Sequence, residues 1–160
     1  MMGRINFKWI ISLRCQLALV VLSLGLPVFA QIKWTEFEHL NDSLRQEAKP
    51  ILVFIHAEWC AYCKLQENET FTRPAVVQKL NQEYYCLKLD AEGQEDITFL
   101  GRPYRFVSTG YRTGQHELAQ LLGAIDEQLT LPTTLVLSEG LQLQWREASF
   151  LAADFLLERL

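Results

Sequence analysis

The chain has 160 residues, of which 49% are hydrophobic, and this length and composition suit one domain with an apolar core. Residues 1–30 contain three of the fifteen basic residues and none of the nineteen acidic ones, so residues 31–160 carry a net charge of −7. Because the acidic balance comes with no basic patch, a nucleic-acid partner is not expected.

The first thirty residues have the pattern of an export signal. Basic residues come first: Arg4, Lys8 and Arg14. An apolar stretch follows over residues 17–26, and residues 28–30 suit a signal-peptidase site. We expect cleavage after Ala30, leaving residues 31–160 as a periplasmic or secreted domain. An uncleaved membrane anchor is the alternative, but the uncharged run is shorter than the roughly 18–20 residues that a span needs.

The first half of the mature chain predicts alternating strands and helices. Apolar spacing, a capping pattern at Thr35 and Glu38, and prolines predict the following segments. They are a short strand over 32–34, a helix over 36–48, a strand over 51–55, a helix over 60–69, a helix beginning at Pro74 and a strand over 84–90. The strand over 51–55 is continuously apolar, which indicates burial on both faces. This order predicts an α/β sheet with at least one parallel crossover.

The second half predicts two hairpins and two helices. Residues 97–99 and 104–107 flank a Gly/Pro turn and predict a β-hairpin, with residues 108–110 as loop. A helix is predicted over 116–122. Further along, a proline enters a strand over 131–137, a turn follows, and the chain returns as a strand over 141–146 before a closing helix over 152–160.

Cys60-Ala61-Tyr62-Cys63 is the motif that carries chemistry. It follows the buried strand and opens a helix, where free N–H groups and the helix dipole favour a thiolate at Cys60. The i, i+3 spacing places Cys63 on the same face, within reach to attack a mixed disulfide. We therefore predict a redox-active disulfide with Cys60 as the nucleophile and Cys63 as the resolving thiol.

Two other residues bear on this motif. Cys86 is left without a partner after loss of the signal segment, and we expect it to be a buried apolar residue. His56 lies four residues before Cys60, so His56, Cys60 and Cys63 could supply three metal ligands. A metal-binding chaperone is therefore the alternative function. A fourth ligand is not evident, and no metal or other cofactor is expected.

The sequence resembles the thioredoxin superfamily, and within it the exported bacterial thiol–disulfide interchange proteins. The resemblance rests on Trp59–Lys64 after a buried strand, on the strand that contains Lys88, on the Glu-x-x-x-Phe segment over 67–71 and on Leu131-Pro132-Thr133 before the final hairpin. It extends over nearly all of residues 32–160. It implies a thioredoxin-like fold with a central mixed sheet flanked by helices.

The resemblance also implies roles for residues around the cysteines. Pro132 would be the cis-proline that faces the disulfide, and Leu131 would offer backbone polar groups to a bound substrate chain. Trp59 would shield the pair on its exposed side. The segment between Asp90 and Pro132 is longer than the basic fold needs, so we expect an inserted hairpin and helix there.

The sequence departs from thioredoxins at two points. Thioredoxins carry a buried aspartate six residues before the first cysteine, where this chain has Phe54. Lys88, Glu58 or water would have to serve instead, and Lys64 is a further supporting residue. The dipeptide Ala61-Tyr62 matches neither the Gly-Pro of thioredoxins nor the Pro-His of strong oxidants, so the dipeptide leaves the redox direction open.

These observations together predict a thiol–disulfide oxidoreductase. We expect it to act on protein disulfides as a monomer. The reducing direction is favoured over the oxidising one, with a membrane protein as the electron donor.

Overall fold

The computed structural model describes residues 31–111 and 113–160, so the predicted signal segment lies outside the described residues. The helices are α1 (Phe37–Gln46), α2 (Ala61–Glu69), α3 (Pro74–Glu83), α4 (Glu117–Gly123) and α5 (Ala153–Arg159). The strands are β1 (Ile51–His56), β2 (Tyr85–Asp90), β3 (Ile97–Phe99), β4 (Arg102–Tyr104), β5 (Phe106–Gly110), β6 (Thr113–His116), β7 (Thr133–Leu137) and β8 (Leu143–Glu147). Within these ranges, no helix has the length and apolar character needed to cross a membrane.

Four strands form one mixed sheet in the order β2-β1-β7-β8. β1 runs parallel to β2 and antiparallel to β7, and β8 returns antiparallel to β7. Residues 51–55 of β1 are fully buried, because helices pack on both faces of the sheet at this central strand. The structure confirms the predicted central mixed sheet.

Side chains of β1 alternate between two apolar clusters, one on each face of the sheet. Leu52 and Phe54 join the cluster to which α2, α3 and α5 contribute. Val53 and Ile55 join the opposite cluster, to which α1 and α4 contribute. Helices therefore cover both faces, as predicted for this fold.

The segment between Asp90 and Pro132 holds two hairpins and a helix, where one hairpin and a helix are predicted. Tyr104 pairs with Ile97 in β3–β4, but Phe106 begins a second hairpin and pairs with His116. Residues 108–110, predicted as loop, belong to this second hairpin. A side chain at Gly114 would collide with the Phe106 ring, so this glycine allows the two strands to pack closely together.

The N-terminal end differs from its prediction in two ways. Residues 32–34 contribute only an isolated parallel bridge from Trp34 to Cys86. Glu36 is the N-cap of α1 and makes no side-chain cap hydrogen bond, so the predicted cap at Thr35 and Glu38 does not form. The backbone N–H of Thr35 donates instead to the carbonyl of Cys86 at 2.7 Å, because the chain runs extended beside β2 before the helix begins.

Phe54 lies at the centre of an aromatic cluster under α2. Its ring centroid lies 5.0 Å from that of Phe71, 6.3 Å from that of Trp34 and 5.7 Å from that of His56. The side chain is fully buried. The apolar residue at position 54 is therefore part of the core.

Replacing Phe54 by alanine should destabilise the fold by about 3–5 kcal/mol, because it removes a buried ring and leaves a cavity. Urea unfolding followed by circular dichroism measures this loss. Phe155→Ala is the matched control, since that ring is 40% exposed, and it should cost about 1 kcal/mol or less. Equal losses for the two variants would contradict the central packing role of Phe54.

Candidate active site

Cys60 and Cys63 form a disulfide at the start of α2, with an S–S distance of 2.09 Å. After β1 ends, a tight turn returns the chain, and the backbone N–H of Cys60 donates to the carbonyl of Ala57 at 3.1 Å. Cys60 is the N-cap residue of α2, and its Sγ accepts a hydrogen bond from the backbone N–H of Cys63 at 3.1 Å. The sulfur of Cys60 thus lies where the free N–H groups of the helix point.

The two cysteines differ in their access to solvent. Cys60 is 3% exposed and Cys63 is fully buried in the cluster under α2. Two aromatic side chains beside them are open to solvent, Trp59 at 67% and Tyr62 at 65% exposure. An approaching molecule therefore meets Trp59, Tyr62 and the edge of Cys60 before it meets Cys63.

Pro132 follows a cis peptide bond after Leu131 and lies directly before β7. The first residue of β7, Thr133, pairs with Ile55 near the end of β1. Because β7 begins where β1 ends, Pro132 lies at the same edge of the sheet as the disulfide. Leu131 also packs against the cluster that contains both cysteines.

An ion pair lies between β2 and α2, next to the aromatic cluster. The Nζ of Lys88 lies 2.7 Å from Oε2 of Glu67, and both side chains are about one-third exposed. Lys88 is the β2 partner of Phe54 in the sheet register. Lys88 thus pairs with a carboxylate from the helix that carries the cysteines, and its supporting role stays a prediction.

The other two predicted supporting residues lie on the surface. Glu58 and Lys64 are both exposed. Glu58 lines an open depression together with Trp59, Asp90 and Glu92. The role of both residues in supporting the disulfide therefore stays a prediction.

His56 ends β1 and stacks on Phe54. Burial lowers the pKa of His56 below its usual value of 6.5, and the positive charge of Lys88 lowers it further. Nearby carboxylates act in the opposite direction without reversing the shift: Asp90, Glu67 and Glu58. The imidazole is therefore neutral at pH 7.

The geometry gives no support to a metal site at His56, Cys60 and Cys63. Across residues 31–111 and 113–160, no three histidine, cysteine or acidic side chains are grouped so that they could hold a metal ion. The two sulfur atoms are bonded to each other instead.

Cys86 is a free cysteine in β2, 1% exposed, on the same side of the sheet as α2. Burial raises the pKa of its thiol to about 12. It therefore stays protonated and unreactive at neutral pH, as the prediction of a buried apolar residue requires.

Two polar residues of α2 make contacts that the sequence did not predict. Glu67 pairs with Lys88, and Gln66 is fully buried and hydrogen-bonded at both ends of its amide. The available signal for Gln66 is its position three residues after Cys63, on a face where an apolar side chain is expected.

The mixed sheet, the helices on both faces and the disulfide at the start of α2 define a protein with a thioredoxin-like fold. The model of the Thioredoxin-like family matches residues 33–132, and the chain belongs to this family. The predicted superfamily is thereby confirmed.

Two kinds of curated relative each match about a third of the chain. Thiol:disulfide interchange protein DsbD from Campylobacter jejuni is 37% identical over 54 residues, which are 34% of this chain and 9% of DsbD. Spermatogenesis-associated protein 20 from Mus musculus is 29% identical over 56 residues, which are 35% of this chain and 7% of that protein. The match thus covers less than a tenth of either relative.

Solved structures share the fold at low sequence identity. A DsbH oxidoreductase superposes with a TM-score of 0.58 at 15% identity, covering 86% of this chain and 89% of that one. A thioredoxin from Thermus thermophilus superposes with a TM-score of 0.56 at 15% identity, covering 81% and 84%. These likenesses confirm the predicted fold.

Thiol labelling of residues 31–160 should distinguish the buried cysteine from the redox pair. Without reductant, the native protein should not react with Ellman's reagent at pH 8, because Cys86 is buried with a pKa of about 12. In guanidinium chloride, one thiol per chain should react, and none in Cys86→Ala. Rapid labelling of the native, oxidised protein would contradict this assignment.

Proposed function

We propose that the chain exchanges disulfides with other proteins through Cys60 and Cys63. The observation that carries the proposal is the Cys60–Cys63 disulfide at the N-terminus of α2, between exposed aromatic residues, in a member of the Thioredoxin-like family. The name of the relative DsbD, a thiol:disulfide interchange protein, agrees with this chemistry.

The reaction begins from the reduced pair. The Cys60 thiolate attacks one sulfur of a substrate disulfide, forms a mixed disulfide and releases the other substrate sulfur as a thiolate. Cys63, once deprotonated, attacks Sγ of Cys60, which closes the Cys60–Cys63 disulfide and releases the second substrate thiolate. The substrate gains two electrons and the protein loses two.

The helix start favours the first step. In the disulfide, Sγ of Cys60 already accepts the N–H of Cys63 at 3.1 Å, and the same N–H would stabilise a thiolate at Cys60. The slight exposure of Cys60 and the full burial of Cys63 suit an attacking and a resolving thiol respectively.

We assign substrate binding to Trp59, Leu131 and Pro132. Trp59 offers an exposed apolar ring beside the disulfide, and Pro132 lies at the same edge of the sheet. A substrate chain held along Leu131 would present its disulfide to Cys60. Lys88, Glu58 and Lys64 remain proposed supporting residues, of which Lys88 lies beside the aromatic core in its ion pair with Glu67.

The proposal includes direction and location. We place the protein in the periplasm or outside the cell, on the pattern of residues 1–30, and assign it the role of a monomeric reductant. An exported reductant needs new electrons after each turnover in an oxidising compartment, so a membrane protein is the proposed donor.

Insulin reduction tests the roles of the two cysteines. Cys60→Ser should abolish turnover, because it removes the nucleophile. Cys63→Ser should also stop turnover but should accumulate a mixed disulfide with substrate, detectable by mass spectrometry. Cys86→Ala is the control and should keep the wild-type rate. An inactive wild type that copurifies with stoichiometric Cu(I) or Zn(II) would overturn the proposal in favour of the metal-binding chaperone.

The equilibrium potential of the Cys60–Cys63 couple tests the direction. A reductant should have a potential near that of thioredoxin, about −270 mV, in equilibrium with glutathione. A value near that of DsbA, about −120 mV, would instead make the protein an oxidant. The reduced fraction is measured by alkylation and mass shift, with the Cys86→Ala variant as the template so that only the redox pair is labelled.

A further inference from the structure

One buried side chain ties the helix that carries both cysteines to the strand that follows Pro132. Gln66 lies in α2 and is fully buried. Its Nε2 donates to Oγ1 of Thr134 in β7 at 2.9 Å. Its Oε1 accepts the backbone N–H of Leu151 at 3.0 Å.

The two ends of the Gln66–Thr134 hydrogen bond lie close in sequence to the reacting groups. Gln66 comes three residues after Cys63, and both side chains are buried on the inward face of α2. Thr134 comes two residues after Pro132 and is itself fully buried. The bond therefore joins the disulfide helix directly to the strand that extends from the cis-proline.

Hydrogen bonds of this kind constrain direction as well as distance. Apolar packing alone is non-directional and lets a helix shift along a sheet, whereas an amide held at both ends fixes rotation and translation together. A buried amide is costly unless both ends are satisfied, and here both are. An apolar side chain of similar volume would fill the same space without this constraint.

We propose that Gln66 is a positioning residue that sets the placement of the Cys60–Cys63 pair relative to Pro132. The inference rests on the proposed function, in which a substrate chain is held along Leu131 and Pro132 while Cys60 attacks its disulfide. Such an attack needs alignment of helix and strand, and a displacement of about 1 Å can cost on the order of a hundredfold in rate. A small-molecule disulfide, by contrast, can react with Cys60 without being held along the residues that precede β7.

Thr70 supplies a matched control on the same helix end. Thr70 is also fully buried, and its Oγ1 donates to the carbonyl of Leu151 at 2.5 Å. It therefore ties the end of α2 to the loop before α5, as Gln66 does, but through a bond that does not involve β7. Loss of this bond should lower stability without changing the placement of the cysteines relative to Pro132.

The central variant is Gln66→Met, which keeps the volume and removes both hydrogen bonds. For the reduced protein, kcat for insulin reduction should fall about tenfold, as expected for a displaced nucleophile. The rate with Ellman's reagent, a small disulfide, should stay within about twofold of wild type, because the strand does not hold it. Thr70→Val should keep both rates. All rates are measured at a temperature at which circular dichroism shows each variant to be folded.

A double variant separates positioning from stability. Gln66→Met leaves the Thr134 hydroxyl without its partner, and adding Thr134→Val removes that buried polar group. Gln66→Met/Thr134→Val should therefore melt at a higher temperature than Gln66→Met, or fold where Gln66→Met does not. Its kcat for insulin should stay about tenfold below that of wild type, because the hydrogen bond between α2 and β7 is still missing.

The outcomes distinguish the two proposals. A wild type without activity on insulin overturns the proposed function and this inference with it. An active wild type with an unchanged kcat in Gln66→Met overturns only the inference, as does recovery of kcat together with stability in the double variant. A parallel loss with insulin and with Ellman's reagent would assign Gln66 to thiol reactivity instead and would also overturn it.

Discussion

The pairing of β1 with its two neighbours is the constraint on which the site depends. β1 runs parallel to β2 and antiparallel to β7, so the end of β1 and the start of β7 meet at one edge of the sheet. Cys60 follows the first and Pro132 precedes the second. A slip of one residue would turn every buried side chain of β1 to the other face, so the two apolar clusters hold this register.

Phe54 changes the electrostatics of the site as well as its packing. Where thioredoxins have a buried acid, this protein has a ring that stacks with Trp34 and His56 and meets Phe71 edge to face. The charged groups lie further out, since the Lys88–Glu67 pair is about one-third exposed. Burial and the positive charge of Lys88 lower the pKa of His56, so this imidazole adds no positive charge beside Phe54 at pH 7.

Local patterns predicted the elements whose cause is local. The continuous apolar run predicted β1, and the prolines predicted the start of α3 and the entry to β7. The second hairpin over residues 106–116 was not predicted, because Phe106 and His116 pair across ten positions and Gly114 matters only once the Phe106 ring lies over it. The predicted cap at Thr35 does not form. The backbone N–H of Thr35 donates a hydrogen bond to the carbonyl of Cys86 instead, and this is a tertiary contact that local sequence does not reveal.

The sequence by itself determined the cysteine pair and its place at a helix start, because a three-residue spacing after a buried strand needs only local geometry. It also indicated Pro132 through resemblance to a family. Only the tertiary structure decided which groups surround the pair. Gln66 meets Thr134 across 68 positions and Glu67 meets Lys88 across 21, and such contacts exist only after sheet register and helix packing are set.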